Sequence, residues 1–192
     1  MAEEHLDLDG LRAELNRYPE GTPMDVLYGL LQRVHVSCED VASSISFGDE
    51  EYERNPICSG PGWELVCICW RPGQTSPVHD HRGSGCGILV LRGTLTETVF
   101  ETTSDGPMAK TGSRDLQQGE ICASHDDDIH QIENAGEENL VTLHVYTPPL
   151  RDVRLFDAAT GAVRPLTYDE VTGRPIYSCL LYTSPSPRDQ EA

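Results

Sequence analysis

GQTSPVHDHRGSGCGILVLRG, residues 73–93, places two histidines two positions apart in a stretch bounded by turn-forming glycines. Successive side chains of a β-strand point to opposite faces, so a strand here presents His79 and His81 on one side and Asp80 on the other. Two imidazoles on one rigid face can bind iron, copper, nickel or zinc, but they do not suit magnesium or calcium. The alternative is a surface histidine pair, and further ligands elsewhere in the chain would decide between the two.

The composition limits the class of protein. A chain of 192 residues fits one domain, and it has no apolar run near the roughly 18 residues that span a bilayer. The net charge of -18 would repel phosphate backbones, so we expect neither a nucleic-acid nor a membrane partner. Residues 1–9 lack the apolar core of a secretory signal, and the seven cysteines are an odd number. We therefore expect reduced thiols and a cytoplasmic location.

The end of the chain is excluded from the fold prediction. Residues 179–189, CLLYTSPSPRD, can be back-translated codon by codon into a common sequencing adapter. A genuine Ser/Pro-rich disordered tail is the alternative. In both cases we expect a single domain over residues 1–178 and a tail without function over residues 179–192.

The hydrophobic pattern changes from helical to strand-like along the chain. We expect helices over residues 6–18 and 39–44, and one between them that begins with Thr22 as N-cap and Pro23 in the first turn. That helix should lie on the sheet. Many short strands with turns between them indicate a sandwich or barrel. The predicted strands cover residues 64–70, 87–92, 94–102, 119–123, 130–134 and 140–146.

The last predicted strand has two unlike faces. Thr142, His144 and Tyr146 alternate with three aliphatic residues, so all three polar side chains share one face. Such a face normally meets solvent, but in a small barrel it could line a polar cavity. His130 also lies in a strand-like stretch, four residues before Asn134.

These motifs together resemble those of a known superfamily. The glycine-bounded histidine pair, followed by His130 and Asn134, resembles the paired motifs of the cupins, small antiparallel jelly-roll β-barrels that hold a metal among histidines. Cys86 stands where most cupins have a glutamate ligand. With that substitution, the chain over about residues 26–165 resembles the cysteine dioxygenase family of thiol dioxygenases. The other segments that carry this resemblance are Tyr52-Glu53-Arg54-Asn55, Cys69-Trp70, Gly93-Thr94-Leu95-Thr96-Glu97-Thr98 and His144-Val145-Tyr146-Thr147-Pro148-Pro149.

The resemblance implies a cofactor and a substrate. It assigns an Fe(II) cofactor to His79, His81 and His130. It assigns the substrate carboxylate to Arg54, with Tyr52 nearby. A planar guanidinium suits a carboxylate because it can donate two parallel hydrogen bonds.

The resemblance also implies a set of catalytic residues beside the metal. Cys86 and Tyr146 correspond to a pair that is joined by a thioether in the mature animal enzymes. His144 corresponds to the hydrogen-bond partner of that tyrosine, and Thr147-Pro148 to a cis peptide beside the site. On this basis we expect a mainly β, jelly-roll cupin barrel with its N-terminal helices packed on the outside.

The implied reaction is the oxidation of L-cysteine by O2 to cysteine sulfinate. Three neutral imidazoles leave Fe(II) with its full positive charge, which favours an anionic thiolate. Two alternatives stay open at this point, namely a dioxygenase of 3-mercaptopropionate or another small thiol, and a non-catalytic metal-binding cupin. Arg54 favours cysteine, because the 3-mercaptopropionate enzymes generally carry glutamine there. We expect a monomer whose partners are a small thiol and O2.

Other polar residues have simpler interpretations. His125 precedes three aspartates, so we expect an exposed loop. Cys67 and Cys69 share a strand face without a second cysteine pair at zinc-site spacing, which favours core packing. Arg54 could also be a surface salt-bridge residue, an alternative that only its burial can decide.

Overall fold

The helices lie at the start of the chain in this computed structural model, which describes residues 5–168 and the backbone of residues 175–176. They are α1 (Leu8–Leu15) and α2 (Met24–Arg33), followed by a short 3-10 turn at Ala42–Ser44. Helix α1 begins at Leu8 because the Asp7 carboxylate caps it by accepting a hydrogen bond from the Gly10 backbone N–H at 2.8 Å, and it ends at Leu15, before the predicted end at residue 18. Within residues 5–168, no helix combines the length and apolar character needed to cross a bilayer.

Helix α2 begins one residue later than the sequence predicts. Pro23, not Thr22, is its N-cap, and the Thr22 N–H donates to Thr147 Oγ1 at 2.6 Å. This bond ties the start of α2 to the peptide Thr147-Pro148, which is cis, as the resemblance implies.

The strands form two antiparallel sheets. The first sheet has the order β1-β2-β9-β4-β7, and the second has the order β12-β11-β10-β3-β8-β5-β6. Side chains from the inner faces of both sheets share one apolar cluster, so the sheets close face to face as the small antiparallel barrel of the cupin fold. The strands are β1 (Glu53–Gly60), β2 (Trp63–Trp70), β3 (Val78–His79), β4 (Gly85–Arg92), β5 (Thr94–Thr102), β6 (Met108–Gln117), β7 (Ile121–Ser124), β8 (Ile129–Glu133), β9 (Leu140–Thr147), β10 (Asp152–Phe156), β11 (Val163–Tyr168) and β12 (Pro175–Ile176).

Helix α2 packs on the outer face of the first sheet, as predicted. Leu27 and Leu31 are buried there in one apolar cluster with Leu89 of β4 and Ile121 of β7. Gly87 in β4 permits this close approach, since a Cβ at that position would lie 2.5 Å from Leu31 Cδ1. The helices therefore cover the outside of the barrel and leave its interior to the strands.

All six predicted strands are present, with ends within two residues of those predicted. Strand β3 covers Val78 and His79 of the strand expected around the histidine pair, and the prediction missed the other five: β1, β6, β10, β11 and β12. Strands β1 and β6 are edges of their sheets, and β6 is polar and mostly exposed along its length. An edge strand exposed on both faces has no apolar alternation, so its sequence lacks the signal on which the prediction depends.

Candidate metal centre

Three histidines meet inside the barrel. His79 ends β3 and lies directly across the ladder from His130 in β8, and His81 follows two residues later. One nitrogen from each ring can be chosen so that all three lie within 4.8 Å of one another. Among residues 5–168, this is the cluster of histidine, cysteine and carboxylate side chains whose geometry could hold a metal ion.

The prediction that His79 and His81 belong to one strand is wrong for His81. Strand β3 ends at His79, and His81 lies in the loop that follows. The His81 N–H donates to the Asp126 carbonyl at 3.0 Å, which draws the chain away from the ladder. Both rings nevertheless face the same cavity, because this loop bond sets the position of His81 in place of strand alternation.

Hydrogen bonds orient two of the rings. His79 Nδ1 lies 2.9 Å from the Pro77 carbonyl oxygen, and His130 Nδ1 lies 2.9 Å from Glu97 Oε1. Each acceptor requires the proton on Nδ1, so Nε2 carries the free lone pair of both rings. His130 Nε2 is 3.4 Å from His81 Nε2, so the ring nitrogens of these two residues converge.

The protonation states of the cluster suit metal binding. Burial, together with the nearby His130, lowers the pKa of His79 to about 3. Burial likewise lowers the pKa of His81 well below its ordinary value. Neutral imidazoles that converge through nitrogen lone pairs form a donor set for a first-row transition metal, so the residues present fit such an ion.

Glu97 is a residue of the site whose contact sequence analysis did not foresee. Its carboxylate is 3% exposed, receives the His130 N–H, and receives the Arg114 Nε–H at 2.7 Å. Burial raises the Glu97 pKa, but the hydrogen bonds from His130 and Arg114 outweigh it and hold that pKa below its usual value. An ionised carboxylate behind a histidine fixes the tautomer and makes the ring a stronger ligand. The available signal was Glu97 itself, an acidic residue two positions after the buried Leu95 on the same strand face.

Asp80 points away from the metal cluster, as the alternation of side chains predicts. It is fully buried and accepts hydrogen bonds from the Arg154 backbone N–H at 2.9 Å and from Arg154 Nε. The carboxylate therefore attaches the segment between the two histidines to β10.

The polar face predicted for residues 140–146 lines the inside of the barrel. His144 Nε2 lies 2.9 Å from Thr142 Oγ1, which also accepts the Trp70 indole N–H at 3.1 Å. On the other side of the ring, His144 Nδ1 lies 3.4 Å from the Tyr146 hydroxyl. The Tyr146 O–H donates to this nitrogen when His144 carries its proton on Nε2.

Cys86 and Tyr146 meet across two strands. They are directly opposite in the β4–β9 pairing, and both are buried in the inner apolar cluster. Cys86 Sγ lies 3.8 Å from His144 Nδ1. Burial raises the pKa of both the Cys86 thiol and the Tyr146 phenol well above their usual values, so both are neutral near pH 7.

Arg54 is not a surface residue. Its side chain is 9% exposed, and its guanidinium carbon lies 4.3 Å from the Tyr168 ring centre and 5.2 Å from that of Tyr146. Arg54 and Tyr52 line the same cavity as the three histidines, and Tyr52 stacks on Trp70 with ring centres 4.3 Å apart. The structure thus brings all eight predicted site residues to one cavity.

The structure confirms the predictions for His125, Cys67 and Cys69. His125 is exposed in a loop, as expected. Cys67 and Cys69 are buried in the apolar cluster between the N-terminal helices and the first sheet, with their sulfurs 3.8 Å apart.

An antiparallel barrel with three inward histidines defines a metal-binding cupin. The family model for cysteine dioxygenase type I matches residues 25–159. The chain belongs to this family, and it is therefore an oxidoreductase of the dioxygenase class.

Curated relatives agree with this assignment. Cysteine dioxygenase type 1 of Danio rerio is 32% identical over 145 residues, which are 72% of this chain and 72% of the relative. The proteins of the same name from Rattus norvegicus and Homo sapiens are each 36% identical over 121 residues, which are 60% of both chains compared. The chain thus spans 60% to 72% of the length of these relatives. Among solved structures, a Thermus thermophilus protein matches with a TM-score of 0.49 and 19% identity, over 57% of this chain and 94% of that chain.

Proposed function

We propose that this protein is an iron(II)-dependent thiol dioxygenase that converts L-cysteine and O2 to cysteine sulfinate. The observation that carries the proposal is one cavity that holds three converging imidazoles together with a buried guanidinium. Family membership supports the same reaction.

The carboxylate of the substrate would bind Arg54. The guanidinium is held beside Tyr146 and Tyr168, so little side-chain entropy remains to be lost when a carboxylate binds. This anchor directs the thiol of an α-amino acid towards the histidines in the same cavity.

His79, His81 and His130 would hold the metal through their Nε2 atoms. Bound iron(II) would supply a cationic centre for the thiolate and the redox chemistry that activates dioxygen. The overall reaction, R–SH + O2 to R–SO2H, transfers both oxygen atoms to sulfur, so dioxygen gains the four electrons that sulfur loses. The sulfinic acid then releases its proton at neutral pH.

Tyr146 and His144 would orient the reacting groups. Tyr146 keeps its proton near pH 7 and points into the cavity, so it can donate a hydrogen bond to substrate or dioxygen when it is not donating to His144. His144 in turn is held by a hydrogen bond to Thr142, which itself accepts the indole N–H of Trp70. Tyr146 and His144 are 4% and 3% exposed, which keeps bulk water from the polar wall of the cavity.

We also propose a thioether between Cys86 and Tyr146, and a cytoplasmic, monomeric enzyme. Support for the location comes from the cysteines of residues 5–168, which are six free thiols, as a reducing compartment requires.

The deciding experiment is anaerobic loading with Fe(II), followed by exposure to air with cysteine, 3-mercaptopropionate or cysteamine. Oxygen uptake and mass spectrometry of the products are measured for each thiol. We expect cysteine sulfinate to form fastest. Faster oxidation of 3-mercaptopropionate would reassign the substrate, and iron binding without oxygen uptake from any thiol would make the protein a non-catalytic cupin.

A further inference from the structure

Three charged side chains of alternating sign extend from the cavity towards the surface. Glu64 Oε1 lies 3.4 Å from Arg54 NH2, and Glu64 Oε2 lies 3.3 Å from Arg151 NH1. The exposed fractions of the side chains are 9% for Arg54, 12% for Glu64 and 35% for Arg151. The sequence motifs gave no role to Glu64 or Arg151.

Glu64 lies in the wall of the barrel beside the candidate site. It is opposite Tyr146 in the β2–β9 pairing, and it shares a strand face with Val66 and Ile68 of the inner apolar cluster. The Leu150 backbone N–H also donates to Glu64 Oε1 at 3.3 Å. One buried carboxylate therefore serves two arginines and a backbone donor.

These contacts are too long to clamp the Arg54 guanidinium. Tight charge-assisted hydrogen bonds span about 2.7 to 2.9 Å, whereas those of Glu64 are 3.3 to 3.4 Å. The rings of Tyr168 and Tyr146 already flank Arg54. The main effect of Glu64 on Arg54 is thus its negative charge, which acts strongly because both groups are withdrawn from water.

We propose that Glu64 is a specificity-determining residue that limits how tightly Arg54 binds a substrate carboxylate, and that Arg151 partly offsets it. The proposal rests on the proposed function, in which Arg54 binds that carboxylate. A substrate carboxylate at Arg54 faces a second carboxylate, so Glu64 weakens its binding. Arg151 neutralises part of the Glu64 charge and so favours carboxylate binding. A thiol without a carboxylate gains nothing from the loss of Glu64.

The test compares Glu64→Gln and Arg151→Gln with Glu14→Gln as the control, since Glu14 on helix α1 pairs with Arg17 and does not line the cavity. Iron-loaded protein is titrated with cysteine and with cysteamine under anaerobic conditions, and Kd is measured by calorimetry. We expect the Kd for cysteine to be about fivefold lower in Glu64→Gln and about fivefold higher in Arg151→Gln. The Kd for cysteamine should be unchanged or higher in Glu64→Gln, and the control should match the unaltered protein.

Damage to the fold would weaken cysteine binding in both variants. It would not shift the Kd for cysteine in opposite directions, and it would not make binding tighter in Glu64→Gln. A higher or unchanged Kd for cysteine in Glu64→Gln, or an equal shift for both thiols, would overturn the proposal. Should Glu64→Gln fail to fold, a Kd for cysteine that does not rise in Arg151→Gln would overturn it.

Oxygen uptake is measured separately, so protein that binds cysteine without consuming O2 disproves the proposed function while the two Kd shifts still decide the role of Glu64. Failure of the unaltered protein to bind cysteine would overturn both.

Discussion

Cys86 and Tyr146 are cross-strand partners in the β4–β9 ladder, and both side chains point into the barrel. Directly opposite residues of an antiparallel pair have their Cβ atoms about 4.5 to 5.5 Å apart, close enough for side chains to react. A pairing shifted by one residue would turn one of the two side chains out of the barrel.

We therefore expect Cys86 and Tyr146 to become covalently linked during turnover. Formation of a thioether breaks the Cys86 S–H bond and one ring C–H bond of Tyr146, and dioxygen accepts the two electrons and two protons. The intact mass should therefore fall by about 2 Da, and the linked peptides should survive reduction, unlike a disulfide. Tyr146→Phe should show no such change. Cys86 that remains open to alkylation in unfolded protein after many turnovers would disprove the link and leave the metal site unaffected.

Loss of any one cluster histidine should remove the metal. His79→Ala, His81→Ala and His130→Ala each leave two of the three convergent nitrogens, so iron content by elemental analysis and oxygen uptake should both collapse. The exposed His125 provides the control, because His125→Ala should retain iron. Full iron occupancy in all three cluster variants would refute the site.

Glu97→Gln should weaken metal binding without abolishing it. The amide can still accept the His130 N–H but no longer carries the charge that makes the ring more basic, so Fe(II) affinity should fall about 10- to 100-fold. Glu101→Gln is the matched control, because Glu101 lies on the same strand and is exposed. Equal Fe(II) affinity of the two variants in a chelator competition would count against this role.

Arg54→Gln should raise KM for cysteine far more than for cysteamine. Loss of a hydrogen bond to a charged group costs on the order of 1.5 to 3 kcal/mol, which is about tenfold or more in affinity. Cysteamine has no carboxylate and should be affected little. Equal effects on the two thiols in steady-state oxygen uptake would remove Arg54 from substrate binding.

Two glycines should respond in opposite directions to alanine. A Cβ at Gly87 would lie 2.5 Å from Leu31 Cδ1 and 3.0 Å from Leu27 Cδ2, and both leucines are buried, so Gly87→Ala should cost about 1 to 3 kcal/mol of unfolding free energy. Gly29 in helix α2 has no neighbour within 4 Å of its added Cβ, so Gly29→Ala should stabilise by about 0.5 to 1 kcal/mol. Urea unfolding measures both, and a stabilised Gly87→Ala variant would contradict the close packing of α2.

Local patterns predicted the parts of the structure in which each residue's environment follows from its near neighbours in the chain. Residues 140–146 show this, because strand alternation alone placed Thr142, His144 and Tyr146 on one face. The edge strands were not predicted, because their sequences lack such a pattern. Strand β6 buries almost no side chains, so its sequence carries no apolar period.

The sequence by itself determined which side chains can bind a metal or a carboxylate, and which strands carry several of these side chains. Only tertiary packing decided which groups touch, because the key partners lie far apart in the chain, as Glu97 does from His130, Asp80 from Arg154 and Glu64 from Arg151. Periodicity reports the face on which a side chain lies, but not what stands opposite it. Sheet order and register bring these partners together, and they arise from burying the inner faces of two whole sheets at once.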